Sequence, residues 1–132
     1  AHGITVNSFT SVSVDPPLIL FCIDKKARFN QPLKAEKSLA INILSEKQQE
    51  ISSRFANPSL TSEERFSGLQ LLTDYAYPVF DDNMGVLIAQ LQQTHDGGDH
   101  WIYIAKVIEG KSFDGNPLLY YGGSYSSVNS KL

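Results

Sequence analysis

The residues best equipped for chemistry fall into three groups. The first is Asn7, Ser8, Thr10 and Ser11, set within the apolar run Ile4–Val14. In an extended segment, short hydroxyl and amide side chains stand close to backbone N–H groups. Such a surface holds an anion or a polar heterocycle, but it supplies no acid, base or nucleophile of unusual strength. The second is the loop Asp24-Lys25-Lys26-Ala27-Arg28-Phe29-Asn30. Its cations read as a solvated turn or as a cluster facing a phosphate. The third is Gly98-Asp99-His100. On the residues alone, Asp99 bonds backbone groups in a turn and His100 packs at a strand end; the alternative is a histidine that faces a ligand.

Composition removes several classes of function. The chain has 132 residues and a net charge of −3. That length fits one domain with a real core. Nothing in the balance is basic enough to draw a nucleic acid by its phosphates. Cys22 is the single cysteine, so no internal disulfide or multi-cysteine metal site can form. It reads as a small buried strand residue. His2 and His95 join His100, but no His-x-x-x-His spacing occurs, so no metal site is expected. No apolar run approaches the roughly 20 residues of a membrane span. No charged-then-apolar leader precedes Gly3. The expectation is a cytoplasmic protein that binds neither nucleic acid nor membrane.

The elements that must position these groups are short. Ile4–Val14 and Leu18–Ile23 read as strands rich in Val, Ile, Thr and Phe. Pro16 and Pro17 interrupt any ladder between them. Asn30 is placed to cap a short helix over Leu33–Lys37. Ser38–Leu44 reads as a strand. Ser45 and Gln48 match a capping box that opens a helix to about Ala56, where Asn57-Pro58 stops it. Thr61–Phe66 is polar with a terminal aromatic. Gly68–Pro78 reads as a variable loop with a short strand at Leu69–Thr73. Val86–Thr94 and His100–Val107 read as strands joined through Asp96-Gly97-Gly98-Asp99, which has hairpin chemistry. In the second of these, His100, Ile102 and Ile104 share one face. Leu118–Tyr121 is a last strand, and Ser126–Leu132 reads as a frayed tail. Many short strands, one or two short helices and no βαβ rhythm give a mainly β fold, an antiparallel barrel. No Gly-x-Gly-x-x-Gly follows a strand, so a nucleotide is not held in the Rossmann manner.

The first strand pair also carries a resemblance. Gly3 to Leu18 resembles the signature segment Gly-[Met/Ile/Phe]-Thr-x-[Asn/Ser]-Ser-Phe-x-Ser-Val-Ser-x-Asp-Pro-Pro-Leu of the flavin reductase-like family, with every fixed position filled. These are the small reductase components of two-component flavin-dependent monooxygenases. Ile51-Ser52-Ser53-Arg54-Phe55-Ala56, Ala89-Gln90-Leu91, Gly98-Asp99-His100 and Pro117–Tyr125 are similar to further family segments. The resemblance thus spans nearly the whole chain, residues 1–132 as one domain. Members usually carry a helix and a strand before this point, which the chain as read lacks. Either the sequence as read is trimmed or those elements are absent; in the second case the expectation is an exposed sheet edge that a neighbouring subunit covers.

The resemblance implies an FMN-binding split β-barrel of Greek-key type, working as a homodimer. The implied activity is NAD(P)H:flavin oxidoreductase, using FMN or FAD with NADH or NADPH and supplying an oxygenase component. Asn7, Ser8, Thr10 and Ser11 would line the flavin, and Cys22, Asp24 and Lys25 would flank it from the adjacent strand end. Arg28 and Asn30 would lie near its phosphate or ribityl chain. His100, beside Gly98 and Asp99, would hold the nicotinamide and is the catalytic candidate. Tyr125 would reach the site, or else is a packed aromatic with a wet hydroxyl. Arg54 reads as a surface or structural ion-pair residue. Two rival readings remain: a tight flavin-binding protein that reduces another acceptor such as ferric iron, and a non-catalytic split-barrel binding module.

Overall fold

A computed structural model of the chain describes residues 1–128. Its main sheet has five strands: β1 (Phe9–Ser13), β2 (Leu18–Asp24), β3 (Ser38–Ile43), β4 (Gly85–Gly97) and β5 (His100–Ser112). Their order is β1-β2-β5-β4-β3, and every neighbouring pair is antiparallel. The run β2-β5-β4-β3 has Greek-key order, with three successive antiparallel strands and the earlier β2 beside the last, although of these four only β4 and β5 are joined by a tight hairpin. Among the described residues the sheet does not close, and β1 and β3 are its edges. A separate hairpin, β6 (Leu118–Tyr121) with β7 (Ser124–Ser127), follows.

One face of the sheet is the core. Alternation along β2 buries Ile19, Phe21 and Ile23, and alternation along β5 buries Tyr103 and Ala105. Leu33 from α1 (Asn30–Glu36), Leu39 from β3 and Ala89 from β4 complete the cluster. Phe21 stacks on Tyr103 with ring centroids 5.4 Å apart. A second aromatic knot joins Phe55 of α2 (Gln49–Ala56), Phe66 of α3 (Ser62–Phe66) and Phe80.

Several expectations need correction. The first run does not pair throughout: β1 starts at Phe9, and Gly3–Thr5 instead runs against α2. There the Thr5 N–H donates to the Phe55 carbonyl at 3.2 Å and its hydroxyl to the Ser52 carbonyl at 2.7 Å. Asn30 is not a cap. It lies inside the first turn of α1 and is buried, whereas Phe29 holds the cap position without a side-chain bond. Among the described residues three short α-helices form rather than one or two. The third opens on a Thr61–Glu64 capping box that the sequence carries in full. Leu69–Thr73 makes no strand, only the isolated bridge Leu71–Phe80. Ser126 and Ser127 belong to β7 rather than to a tail, while positions 129–132 lie outside the described residues. The Ser45–Gln48 capping box is present and opens a 3₁₀ turn that runs into α2.

Candidate functional site

The β4–β5 hairpin places the Gly98-Asp99-His100 motif. Gly97 pairs with His100, so Gly98 and Asp99 are the two residues of the turn. Gly98 has φ +82° and Asp99 does not have a positive φ, the pattern of a type II′ turn. A Cβ on Gly98 would meet nothing within 4 Å. Backbone conformation, not room, therefore requires glycine there. The turn sets Asp99 beside His100, and His100 Nδ1 lies 2.7 Å from Asp99 Oδ1. An ionised carboxylate only accepts, so Nδ1 carries the proton and donates it. Nε2 is left as the outward nitrogen. The bond to His100 and its nearby charge hold Asp99 below the ordinary aspartate range.

Register then decides which candidates meet. Directly opposed residues in an antiparallel ladder share a face. His100 opposes Asp24, Ile102 opposes Cys22, and Ile104 opposes Leu20, which opposes Thr10. The Ser8 hydroxyl bonds the Cys22 backbone from the β1 side, accepting from its N–H at 3.0 Å and donating to its carbonyl at 2.9 Å. Thus Thr10, Cys22, Asp24 and His100 lie on the face opposite the core, with Ser8 at its margin. Leu20, Cys22, Ile102 and Ile104 give that face a half-buried apolar floor. His95 opposes Ile102 from β4 and joins this face, its Nε2 2.8 Å from Gln93 Oε1. Asn7 and Thr10 are exposed. Ser11 opposes Ile19 and therefore points to the other side.

The loop after β2 is tied down at several points. Lys25 N–H donates to the Asp99 carbonyl at 2.9 Å, and Lys25 Nζ pairs with Asp96 Oδ1 at 2.9 Å. Lys25 and Lys34 lie over the Trp101 ring at 4.6 and 4.2 Å from its centroid. Asp24 Oδ1 accepts from the Lys26 N–H at 2.8 Å. The Asn30 amide donates to the carbonyls of Asp24 and Ala27, at 2.8 and 3.0 Å, and its oxygen accepts from the Tyr103 hydroxyl at 2.6 Å. Its polar groups are thus committed inside the fold. Arg28 donates to the carbonyls of Pro58 and Leu60 at 3.1 and 3.0 Å and braces that segment. Tyr125 stands apart: its hydroxyl lies 2.8 Å from that of Ser52, in contact with α2 rather than the His100 face. Arg54 pairs with Glu50 and bonds the carbonyls of Arg65 and Ser67, a structural role. Among the described residues no group of three His, Cys, Asp or Glu side chains is placed to hold a metal. No described helix is long and apolar enough to cross a membrane.

The model of the flavin reductase like domain matches residues 1–129. The chain belongs to the flavin reductase-like family. Curated relatives include the reductase subunit HsaB of a flavin-dependent monooxygenase of Mycobacterium tuberculosis. It is 30% identical over 130 residues, which are 96% of this chain and 68% of the relative. The stachydrine N-demethylase reductase subunit Stc3 of Rhizobium meliloti is 38% identical over 124 residues, 93% of this chain and 53% of Stc3. Among solved structures, the NADH:FAD oxidoreductase SgcE6 of Streptomyces globisporus, in complex with NAD and FAD fragments, has a TM-score of 0.86. It is 30% identical, and the match covers 95% of this chain and 76% of that one. The family match accords with the expected fold, an antiparallel split barrel.

Sequence reasoning missed Asp96, His95 and the Trp101–lysine contact. A signal for the first two was present. A two-residue turn at Gly98-Asp99 fixes Gly97 against His100, and counting back pairs Asp96 with Trp101 and His95 with Ile102.

Proposed function

We propose that the chain is an NAD(P)H:flavin oxidoreductase that supplies reduced FMN or FAD to a separate monooxygenase. One observation supports this reading above the rest. The ladder gathers Ser8, Thr10, Cys22, Asp24 and His100 along one half-exposed face beside the open edge of β1. These groups suit a flat, polar-edged ring system. The floor is apolar, hydroxyls rim it, and no strong base stands among them. A bound flavin would supply the redox chemistry as the hydride acceptor, and the residues on this face would hold it.

The protein binds and orients. Thr10 and the free backbone groups of edge strand β1 hydrogen-bond the flavin rim and stabilise negative charge that develops there. The half-buried floor excludes water. His100, oriented by Asp99, presents Nε2 toward the nicotinamide amide and holds it in place. Lys25 and Arg28 supply positive charge on the phosphate side. Asn30 acts there by shaping the loop, since its amide is occupied.

The reading extends to assembly and location. A second copy covers the apolar surface at the end of β1, where Val12 and Val14 are 46% and 93% exposed, and leaves the backbone edge of the strand to the flavin, giving a homodimer. The protein works in the cytoplasm. Sedimentation of the purified chain tests the dimer; a monomer at tens of micromolar contradicts it.

Steady-state nicotinamide oxidation tests the activity. NADH and NADPH are each supplied with and without FMN or FAD. Oxidation that requires added flavin and saturates with it is expected. Turnover with retained flavin alone indicates a tightly bound flavin serving another acceptor. No oxidation with any combination overturns the enzymatic reading in favour of a binding module.

A further inference from the structure

Asp96 stands outside the groups assigned above. It lies at the end of β4, on the strand that leads into the hairpin turn. Its Oδ1 accepts two hydrogen bonds, from the Gly98 N–H at 3.0 Å and from Lys25 Nζ at 2.9 Å. Lys25 returns a second link, from its own N–H to the Asp99 carbonyl at 2.9 Å. The turn has two residues, and the Asp99 side chain holds the His100 ring. Any rotation of the turn therefore carries the Asp99–His100 pair with it. The Lys25 ammonium and the Gly98 N–H both favour ionised Asp96 and hold its carboxyl below the ordinary range. The bridge is thus present across neutral pH.

We propose that Asp96 is a positioning residue: by bridging Lys25 and Gly98 it locks the turn that orients His100 against the loop on the flavin side. The proposal rests on the reading of the chain as a flavin reductase. The pair is open to solvent, with the Lys25 side chain 32% and that of Asp96 68% exposed. Exposed pairs contribute little to folding. The effect therefore falls on ring orientation and leaves the fold intact.

The test uses the full chain with Asp96→Asn, Asp96→Ala, Lys25→Met and the double variant Lys25→Met/Asp96→Asn. Asparagine keeps an oxygen for Gly98 but loses the charge that Lys25 needs; alanine loses both. Asp96→Asn raises the KM for the nicotinamide nucleotide by about two- to fivefold, and Asp96→Ala raises it further, while the flavin KM changes by less than about twofold. In the Lys25→Met background, Asp96→Asn adds nothing to the nicotinamide KM, because the partner is already gone. Parallel rises in both KM values in Asp96→Asn or Asp96→Ala, or an additive effect on the nicotinamide KM in the double variant, overturn the proposal.

A second measurement does not depend on turnover. The imidazole proton resonances of His100, assigned by their loss in His100→Ala, shift in Asp96→Ala while those of His2 do not. Unchanged His100 resonances overturn the proposal whether or not the chain oxidises NAD(P)H. A wild type without flavin-dependent turnover defeats the functional reading by itself and leaves the resonance test to decide the role of Asp96.

Discussion

The Ser8 hydroxyl meets the backbone of Cys22 twice, accepting from its N–H at 3.0 Å and donating to its carbonyl at 2.9 Å. A side chain thus takes the place that a strand residue would hold just before β1 begins at Phe9. Ser8→Ala leaves both Cys22 groups without these partners. The expected loss is about 1–2 kcal/mol in denaturant unfolding, with faster hydrogen exchange at the Cys22 amide. Exchange at wild-type rate would show that water replaces the hydroxyl without loss.

Gly3 is required by contact. A Cβ there would stand 2.7 Å from Phe55 Cε1, and Phe55 is held by Phe66 and Phe80. The ring has no room to retreat. Gly3→Ala is expected to destabilise the fold by about 1–3 kcal/mol, as overpacked cores do. Gly3→Ala combined with Phe55→Leu should recover part of that loss. Equal denaturation midpoints for Gly3→Ala and wild type would contradict this reading of the motif glycine.

Tyr103 gives the fold an alkaline limit. Burial pushes its hydroxyl above the ordinary tyrosine range. The neutral form is favoured in the folded chain, so this contribution is full below the unfolded value of about 10 and is lost as pH rises beyond it. Tyr103→Phe removes that dependence. It also leaves the buried Asn30 oxygen without its donor, a loss of about 1–3 kcal/mol at neutral pH. Unfolding measured from pH 7 to 11 checks both effects. An unchanged alkaline slope in the variant assigns the limit to another group.

Gly98 requires a positive φ in open space. Gly98→Ala should therefore cost about 1 kcal/mol through backbone strain, while Gly98→Asn, which tolerates that conformation better, should cost less. Equal midpoints for the two variants would contradict the conformational account.

The strands that alternate cleanly were legible from residue type alone. His100–Val107 alternates in the sequence, and Tyr103 and Ala105 are buried on one face; Leu18–Ile23 is apolar throughout, so its strand could be read from residue type but not that Ile19, Phe21 and Ile23 form the buried face. The site was legible in part. Its members could be named from motif and residue type, but their company could not. Thr10 and Ser11 are neighbours in sequence, yet pleating sends them to opposite faces. Asn30 looked like a cap because caps are defined locally, whereas its real partners are Tyr103 and the carbonyls of its own loop. Leu69–Thr73 has strand composition but finds only one bridging partner, Phe80, and so does not extend. Arg28 carries a charge suited to phosphate, and nothing local announces that Pro58 and Leu60 offer it carbonyls.

The central claim is that this chain moves reducing equivalents from a nicotinamide to a flavin. The most direct measurement is anaerobic. The protein is mixed with NADH or NADPH and excess FMN or FAD, and the visible flavin absorbance is followed without oxygen to reverse the reaction. The account predicts bleaching at a rate proportional to protein concentration, with one nicotinamide consumed for each flavin reduced. Bleaching no faster than in the protein-free mixture, for every pair of nucleotide and flavin, would contradict it.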